Sequence, residues 1–208
     1  MKDRCEPEGT SELPDWFGPI AEDVLRLCEP EQGIWVDLGS GSGGLGLELA
    51  KRSDSTVLLV DPNAEALSRG LESARESGLG SRVSAVVARA ESIPLPDRSV
   101  ELVVSRGSIF FWENPPEGVR EVRRILRPTG KAMIGGGLGS SYPRWAREAF
   151  WRRRLEGVRK RGPEALRRFE HVRKPETFRA WAHEAGLITF DVIEESPGTW
   201  LVFGRETE

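Results

Sequence analysis

The sequence is poor in cysteine and histidine and carries almost balanced charge. Cys5 and Cys28 are its 2 cysteines, with no CxxC pair or histidine cluster, and it has 2 histidines among 208 residues. This scarcity disfavours a disulfide framework and a zinc site, so we predict no bound metal. The 33 acidic and 30 basic residues give a net charge of −3, which offers no overall support for a polyanion-coating protein.

Long apolar runs are missing as well. No segment approaches 18 consecutive apolar residues, which disfavours a membrane-spanning helix. The first 15 residues are acidic and lack the apolar centre of a secretory signal. With 38% hydrophobic residues the chain can still bury a core. These features predict one cytoplasmic domain over 1–208, and they leave a homodimer open.

Short β-rich runs alternate with helical stretches along most of the chain. We predict strands at 33–38, 55–61, 82–87, 100–104 and 131–134, with helices at 43–52, 63–78 and 116–126 between them. Continuous apolar strands are typical of parallel sheets that helices cover on both faces. Alternating strands and helices are typical of α/β proteins, so we predict a doubly wound α/β sheet.

The predicted domain has four segments. Residues 1–30 contain an amphipathic cap helix at 13–28, and 31–139 form the core of the sheet. Residues 140–174 form a helical insert, and 175–208 form a helix followed by a β-hairpin. The turn of that hairpin is predicted at Ser196-Pro197-Gly198, because Pro-Gly between two β runs is a turn signal.

A glycine-rich turn follows the first predicted strand, in the segment Val36-Asp37-Leu38-Gly39-Ser40-Gly41-Ser42-Gly43-Gly44. Glycine lets the backbone approach a ligand, and the following helix offers unpaired N–H groups. Asp61 ends the second strand 20 residues after Gly41, where an acidic residue can accept both hydroxyls of a ribose. This combination predicts a nucleoside site. Asp37 near the loop disfavours a pyrophosphate and favours a positively charged ligand such as S-adenosylmethionine, with a nicotinamide dinucleotide as the alternative.

Four motifs in order carry a family resemblance. Residues 36–43 resemble motif I of the class I S-adenosylmethionine-dependent methyltransferases, and 59–63 resemble their second motif. Residues 90–105 are similar to the stretch before strand four in the subfamily of ubiquinone/menaquinone C-methyltransferases, and 121–131 resemble the approach to strand five. The resemblance implies a Rossmann-like seven-stranded sheet, mostly parallel with a reversed C-terminal strand, plus a helical lid. It also implies S-adenosyl-L-methionine as cofactor.

The resemblance implies a role for each matching residue. The loop residues would line the methionine half of the cofactor, with Asp37 near its ammonium group or ordering the loop, and Asp61 would hold the ribose. Further residues would contact the adenine or border the sulfonium. The implied cofactor-binding set is Asp37, Gly39, Ser40, Gly41, Gly43, Asp61, Pro62, Asn63, Ala90, Glu91, Ser105 and Arg106.

The sequence indicates the methyl acceptor less clearly than the cofactor, because methyl transfer is a displacement that depends mainly on alignment. A base is needed only if the acceptor loses a proton in the step. Arg106 and His171 are the candidate catalytic residues, and Arg106 could also clamp a carboxylate or phosphate. The candidate substrate contacts are Arg106, Phe110, Trp112 and Tyr142, with the aromatic side chains forming a pocket wall.

The insert carries the charge asymmetry of the chain. From Arg144 to Lys174 there are 12 basic and 4 acidic residues, a local net charge of +8. This charge favours an anionic small-molecule partner under a lid, with RNA as the alternative partner. Of Arg152, Arg153 and Arg154, at least one must face away from any pocket, because three successive helical residues span about 200°.

Taken together, the motifs and the insert predict methyl transfer to a small molecule. An RNA methyltransferase, a non-catalytic cofactor-binding module and a NAD-binding module are the alternatives.

Overall fold

A single seven-stranded sheet lies at the centre of the computed structural model, which describes residues 12–195 and 198–205. The strands are β1 (Ile34–Leu38), β2 (Thr56–Asp61), β3 (Val83–Val87), β4 (Val100–Arg106), β5 (Leu126–Gly136), β6 (Asp191–Glu195) and β7 (Gly198–Gly204). The helices are α1 (Phe17–Cys28), α2 (Gly44–Lys51), α3 (Ala64–Glu76), α4 (Pro115–Ile125), α5 (Arg144–Arg159), α6 (Pro163–His171) and α7 (Pro175–Glu184), with a 3₁₀ turn at Ile109–Phe111.

The strand order is β3-β2-β1-β4-β5-β7-β6, and the first five strands in this order are parallel. Strand β7 runs antiparallel to both β5 and β6. The doubly wound, mostly parallel sheet with a reversed C-terminal strand is therefore confirmed. The predicted turn residues Ser196 and Pro197 lie outside the described residues, as does Cys5.

Helices cover both faces of the sheet, which explains the continuous apolar strands. One face packs against α1, α2 and α3 through residues such as Ile20, Leu49 and Leu67, and the other packs against α4 and α7 through residues such as Val122 and Phe178. Burying a side chain of this size contributes about 1.5–3 kcal/mol. These two apolar layers hold the sheet between the helices. The carboxyl ends of its parallel strands are left free to form a site.

Helix α1 begins later than the sequence predicts. Residues 13–16 precede the helix, and the Asp15 carboxylate accepts the N–H of Gly18 at 3.0 Å at its first turn. Pro14 disfavours a helical residue 13, and Pro19 needs no hydrogen-bond partner in the first turn. These local preferences outweigh the amphipathic pattern at 13–16. Within the described ranges, no helix combines the length and hydropathy required to cross a bilayer.

The helical insert forms a small cluster of its own. Helices α5 and α6 pack against each other, and Leu138, Tyr142 and Ala146 form a buried group before and at the start of α5. Trp16 from the segment before α1 packs against this group together with Phe150 and Trp151. The insert therefore joins the N-terminal segment above the carboxyl ends of the strands.

Candidate cofactor and acceptor site

Two cavities open at the point where strand order reverses between β1 and β4. This switch point is where open α/β sheets bind ligands. The glycine-loop cavity has a volume of about 300 Å³ and is lined by residues after β1, β2, β3 and β4. The arginine cavity has a volume of about 550 Å³ and lies between the end of β4, residues 136–137 and the insert. Arg106 and Gly107 line both cavities, so the cavities meet where β4 ends.

The glycines of the loop after β1 are required for different reasons. Gly39 and Gly41 both have positive φ, +68° and +54°. A Cβ at Gly39 would overlap the side chain of Ser108, so Gly39 permits close approach to the loop after β4. A Cβ at Gly41 would meet nothing within 4 Å, and Gly41 lines the glycine-loop cavity. Gly41 therefore keeps the cavity open on this side.

Asp61 ties the glycine loop to the end of β2. Its carboxylate accepts the N–H of Gly41 and the N–H of Asn63, each at 2.8 Å. A carboxylate oxygen has more than one acceptor site, so both oxygens can accept a further hydrogen bond. Asp61 also lines the glycine-loop cavity. It can therefore bind two hydroxyl groups while it holds the loop.

Asp37 lies behind the loop and is only 2% exposed. Its carboxylate accepts the N–H of Gly46 in the first turn of α2 at 2.8 Å. Burial raises the pKa of Asp37 to about 7, the hydrogen bond from Gly46 opposes this rise, and the charge of Asp61 adds to it. Asp37 is not among the residues that line the glycine-loop cavity. Of its two expected roles, the geometry supports the ordering of the loop and of α2.

Ser108 is a site residue that the sequence analysis missed. Its hydroxyl contacts the Ser105 hydroxyl at 2.5 Å, donates to the Leu38 carbonyl at 3.1 Å and accepts from the Trp112 indole at 3.0 Å. These bonds hold the Trp112 ring in the wall of the glycine-loop cavity. Trp112, a predicted substrate contact, lines the glycine-loop cavity and not the arginine cavity. The glycine before Ser108, after a predicted strand, was the one signal for this turn.

The structure brings together most of the predicted cofactor-binding residues but not all of them. The predicted residues that line the glycine-loop cavity are Gly39, Gly41, Asp61, Pro62, Ala90, Glu91 and Arg106. Asn63 instead caps α3 by accepting the N–H of Ala66 at 3.1 Å, and Ser105 is fully buried. Gly43 caps α2, where a Cβ would overlap Leu59. The Ser40 hydroxyl is buried without a partner in the described part of the chain.

Arg106 enters the arginine cavity at the end of β4. Two of its guanidinium nitrogens donate to the Gly137 carbonyl, each at 3.3 Å. Its guanidinium carbon lies 5.4 Å from the Trp16 ring centroid and 5.9 Å from that of Phe150. Burial lowers the pKa of Arg106 to about 10, and repulsion from Arg154 acts in the same direction. Arg106 is therefore still protonated at neutral pH.

The insert supplies the rest of the arginine cavity. Helix α5 contributes Phe150, Trp151, Arg153 and Arg154, and Arg173 follows α6. Arg152 does not line this cavity, which agrees with the expectation that one of the three successive arginines faces away. The sequence predicts a helical insert at 140–174, but it does not indicate which face of α5 lines a cavity.

Arg173 is held between two aromatic rings. Its guanidinium carbon lies 3.9 Å from the centroid of Phe110 and 3.8 Å from that of Phe169. Phe110, a predicted substrate contact, is 8% exposed and lines the arginine cavity. The stack therefore connects the loop after β4 to the insert.

Two predicted residues line neither the arginine cavity nor the glycine-loop cavity. Tyr142 is 3% exposed, and its hydroxyl donates to the Pro14 carbonyl at 2.9 Å within the cluster at the start of α5. His171 ends α6 with an exposed side chain and lines none of the cavities described above. Packing of the insert against residues 13–16 uses Tyr142, and α6 presents His171 to solvent, so neither contacts the arginine cavity.

The doubly wound sheet, the glycine loop and the acid at the end of β2 define a nucleoside-binding α/β protein. Within the described residues there is no group of three histidine, cysteine, aspartate or glutamate side chains that could hold a metal ion. The family model of the methyltransferase domain matches residues 36–134. A crystal structure described as an S-adenosyl-L-methionine-dependent methyltransferase from Methanococcus maripaludis is 30% identical, has a TM-score of 0.79, and aligns over 93% of this chain and 86% of its own.

Curated relatives include quinone methyltransferases. The chloroplastic 2-methyl-6-phytyl-1,4-hydroquinone methyltransferase of Arabidopsis thaliana is 31% identical over 65% of this chain and 38% of its own length. The ubiquinone/menaquinone biosynthesis C-methyltransferase of Geotalea uraniireducens is 31% identical over 58% of this chain and 51% of its own. The chain thus spans between about a third and a half of these two relatives. It belongs to the class I S-adenosylmethionine-dependent methyltransferases, and it is similar to the ubiquinone/menaquinone enzymes among them.

Proposed function

We propose that this chain transfers a methyl group from S-adenosyl-L-methionine to a small molecule bound in the arginine cavity. The observation that carries the proposal is that Arg106 and Gly107 line both cavities. A cofactor in one cavity and an acceptor in the other would meet at this junction. Methyl transfer requires this arrangement, because the reacting atoms must approach in line at about 3–3.5 Å.

The residues of the glycine-loop cavity fit the family's cofactor. Asp61 can accept two ribose hydroxyls, and Pro62 and Trp112 provide apolar surfaces for the adenine. The buried Ser40 hydroxyl lacks a partner among the described residues, and Gly41 leaves open space where a side chain would stand. When bound, S-adenosylmethionine supplies a methyl group on a positively charged sulfur that is a good leaving group.

The protein's contribution to the reaction is alignment and exclusion of water. The described residues that line the arginine cavity include Trp16, Phe150 and Trp151, which can cover an acceptor. Within residues 12–195 and 198–205, no histidine or carboxylate belongs to this lining. No side chain of the described lining can therefore act as a general base for a neutral acceptor. We propose that the acceptor atom is nucleophilic without such a base, and that alignment supplies most of the rate.

We further propose that the acceptor is negatively charged. The insert carries a net charge of +8, and four arginines line the cavity: Arg106, Arg153, Arg154 and Arg173. The hydroquinone and quinone enzymes among the relatives support a small organic acceptor, while these arginines favour one with an anionic group. A cytoplasmic location and a homodimer stay predictions from the sequence.

The test uses methyl-labelled S-adenosylmethionine and a metabolite extract that has been separated by anion exchange. We expect label in fractions that the exchanger retains, and we expect Arg106→Gln to lower incorporation at least tenfold. Arg152→Gln is the matched control, because it removes the same charge from an exposed residue that does not line the cavity. Label confined to uncharged compounds or to RNA would contradict the proposal.

A further inference from the structure

Among the described residues, every polar side chain that lines the arginine cavity is a hydrogen-bond donor. The set consists of Trp16, Arg106, Trp151, Arg153, Arg154 and Arg173, and the described lining includes no carboxylate, amide or hydroxyl side chain. The indole N–H groups of Trp16 and Trp151 are buried and have no acceptor within residues 12–195 and 198–205. An unsatisfied buried donor is costly. The described lining therefore offers no acceptor side chain to these donors, and a ligand rich in acceptor oxygens would supply acceptors.

The arginines of this cavity form no ion pair among the residues that the structure describes. In the described part of the chain, no ion pair joins Arg106, Arg153, Arg154 or Arg173 to a carboxylate. Burial, followed by repulsion from Arg154 and Arg106, lowers the pKa of Arg173 to about 10, so the group is still charged at neutral pH. Arg124, which lies outside this cavity, differs from these four arginines because it forms ion pairs with Glu121 and Asp97.

Two of these arginines are held in place before any ligand binds. Arg173 lies between Phe110 and Phe169, and its carbonyl accepts the Thr199 hydroxyl at 2.8 Å. Arg106 is held by the Gly137 carbonyl and by surrounding aromatic rings. Preorganised donors lose little entropy on binding, so they favour a ligand that matches their positions.

We propose that the arginine cavity binds a phosphoryl dianion, the phosphate or diphosphate group of the methyl acceptor, through Arg106, Arg154 and Arg173. This inference rests on the proposed function and specifies its substrate class. A carboxylate offers a single charge to three guanidinium groups, whereas a phosphate monoester carries about −1.5 to −2 at neutral pH. Guanidinium forks also match phosphate oxygens in geometry. Each phosphodiester of RNA carries a single charge, so it matches three clustered guanidinium groups less well than a dianion does.

The test is isothermal titration of the full chain with three compounds that share a phenyl ring and differ in their anionic group. These are phenyl phosphate, phenyl sulfate and benzoate. Phenyl sulfate has the same tetrahedral shape as phenyl phosphate but a single charge. We expect phenyl phosphate to bind at least tenfold more tightly than either of the other two at pH 8. We expect Arg154→Gln to weaken it at least tenfold and Arg152→Gln, its neighbour outside the cavity, to change it less than twofold.

Equal affinities for phenyl phosphate and phenyl sulfate would overturn the inference, as would equal losses in the two variants. Tighter, steeply salt-dependent binding of a single-stranded RNA oligonucleotide would overturn it in favour of a polymer. S-adenosylhomocysteine is titrated separately. If it binds while phenyl phosphate does not, this inference fails and the proposed function stands. If it does not bind, the proposed function fails, and the phenyl probes still decide what the cavity prefers.

Discussion

Replacement of Asp61 by alanine tests the proposed nucleoside site, because the carboxylate that holds the glycine loop is also the one expected to bind the ribose. In the structure it accepts backbone N–H groups of Gly41 and Asn63 at 2.8 Å each. Loss of two charge-assisted bonds to ribose hydroxyls should lower cofactor affinity by about 2–4 kcal/mol, or roughly 30- to 1,000-fold. The backbone bonds add a cost to folding of roughly 1–3 kcal/mol in total, since two N–H groups lose their acceptor.

The sequence does not indicate that folding cost, because the two backbone partners of the Asp61 carboxylate are visible only in the structure. Asp61→Asn separates the two effects, since its amide oxygen can still accept one N–H and its size is preserved. Calorimetry with S-adenosylhomocysteine gives the affinity, and urea unfolding gives the stability. Glu72→Ala, which removes an exposed carboxylate from α3, is the charge control. Affinity of the alanine variant within about threefold of wild type would refute the ribose assignment.

Two further substitutions probe the loop. Because burial raises the pKa of Asp37 to about 7, the native state binds a proton that the unfolded state releases near pH 4, so stability is lost as pH rises from about 4 to 7. Asp37→Asn should remove this pH dependence, which amounts to up to about 4 kcal/mol of unfolding free energy. Urea unfolding at pH 4.5 and pH 8 measures it, and the same pH dependence in wild type and variant would contradict the prediction. Gly41→Ala should weaken S-adenosylhomocysteine at least tenfold by calorimetry, because its Cβ stands in the cavity. Gly78→Ala is the control, because Gly78 also has a positive φ of +72° and open space around it but does not line the cavity. It should cause similar backbone strain without the loss of affinity. Equal affinity losses in the two variants would exclude a steric role for position 41.

The sheet could be predicted from the sequence because local signals agreed with one another. Each parallel strand is an apolar run that helices cover on both sides, and the turn after β1 carries glycines that the backbone needs. The start of α1 was wrong by four residues, since Pro14 and Asp15 act locally against the amphipathic pattern. Helix limits of this kind depend on capping bonds that periodicity does not reveal.

The site was predictable on the cofactor side and less so on the acceptor side. Asp61 and Gly41 stand at fixed distances from a strand end, so their positions follow from topology. The lining of the arginine cavity depends on which face of α5 packs against Trp16. No local signal in the sequence specifies that packing. For this reason Arg154 and Arg173 were not singled out, while Tyr142 and His171 were. Long-range contacts of the insert decide these positions.

The most direct test of the central claim is a crystal structure of the full chain with S-adenosylhomocysteine. We expect both ribose hydroxyls within hydrogen-bond distance of the Asp61 carboxylate. We expect the sulfur to face the junction at Arg106 and Gly107, with the arginine cavity on its far side. A nucleoside bound in the arginine cavity, or a sulfur directed away from the junction, would contradict the account.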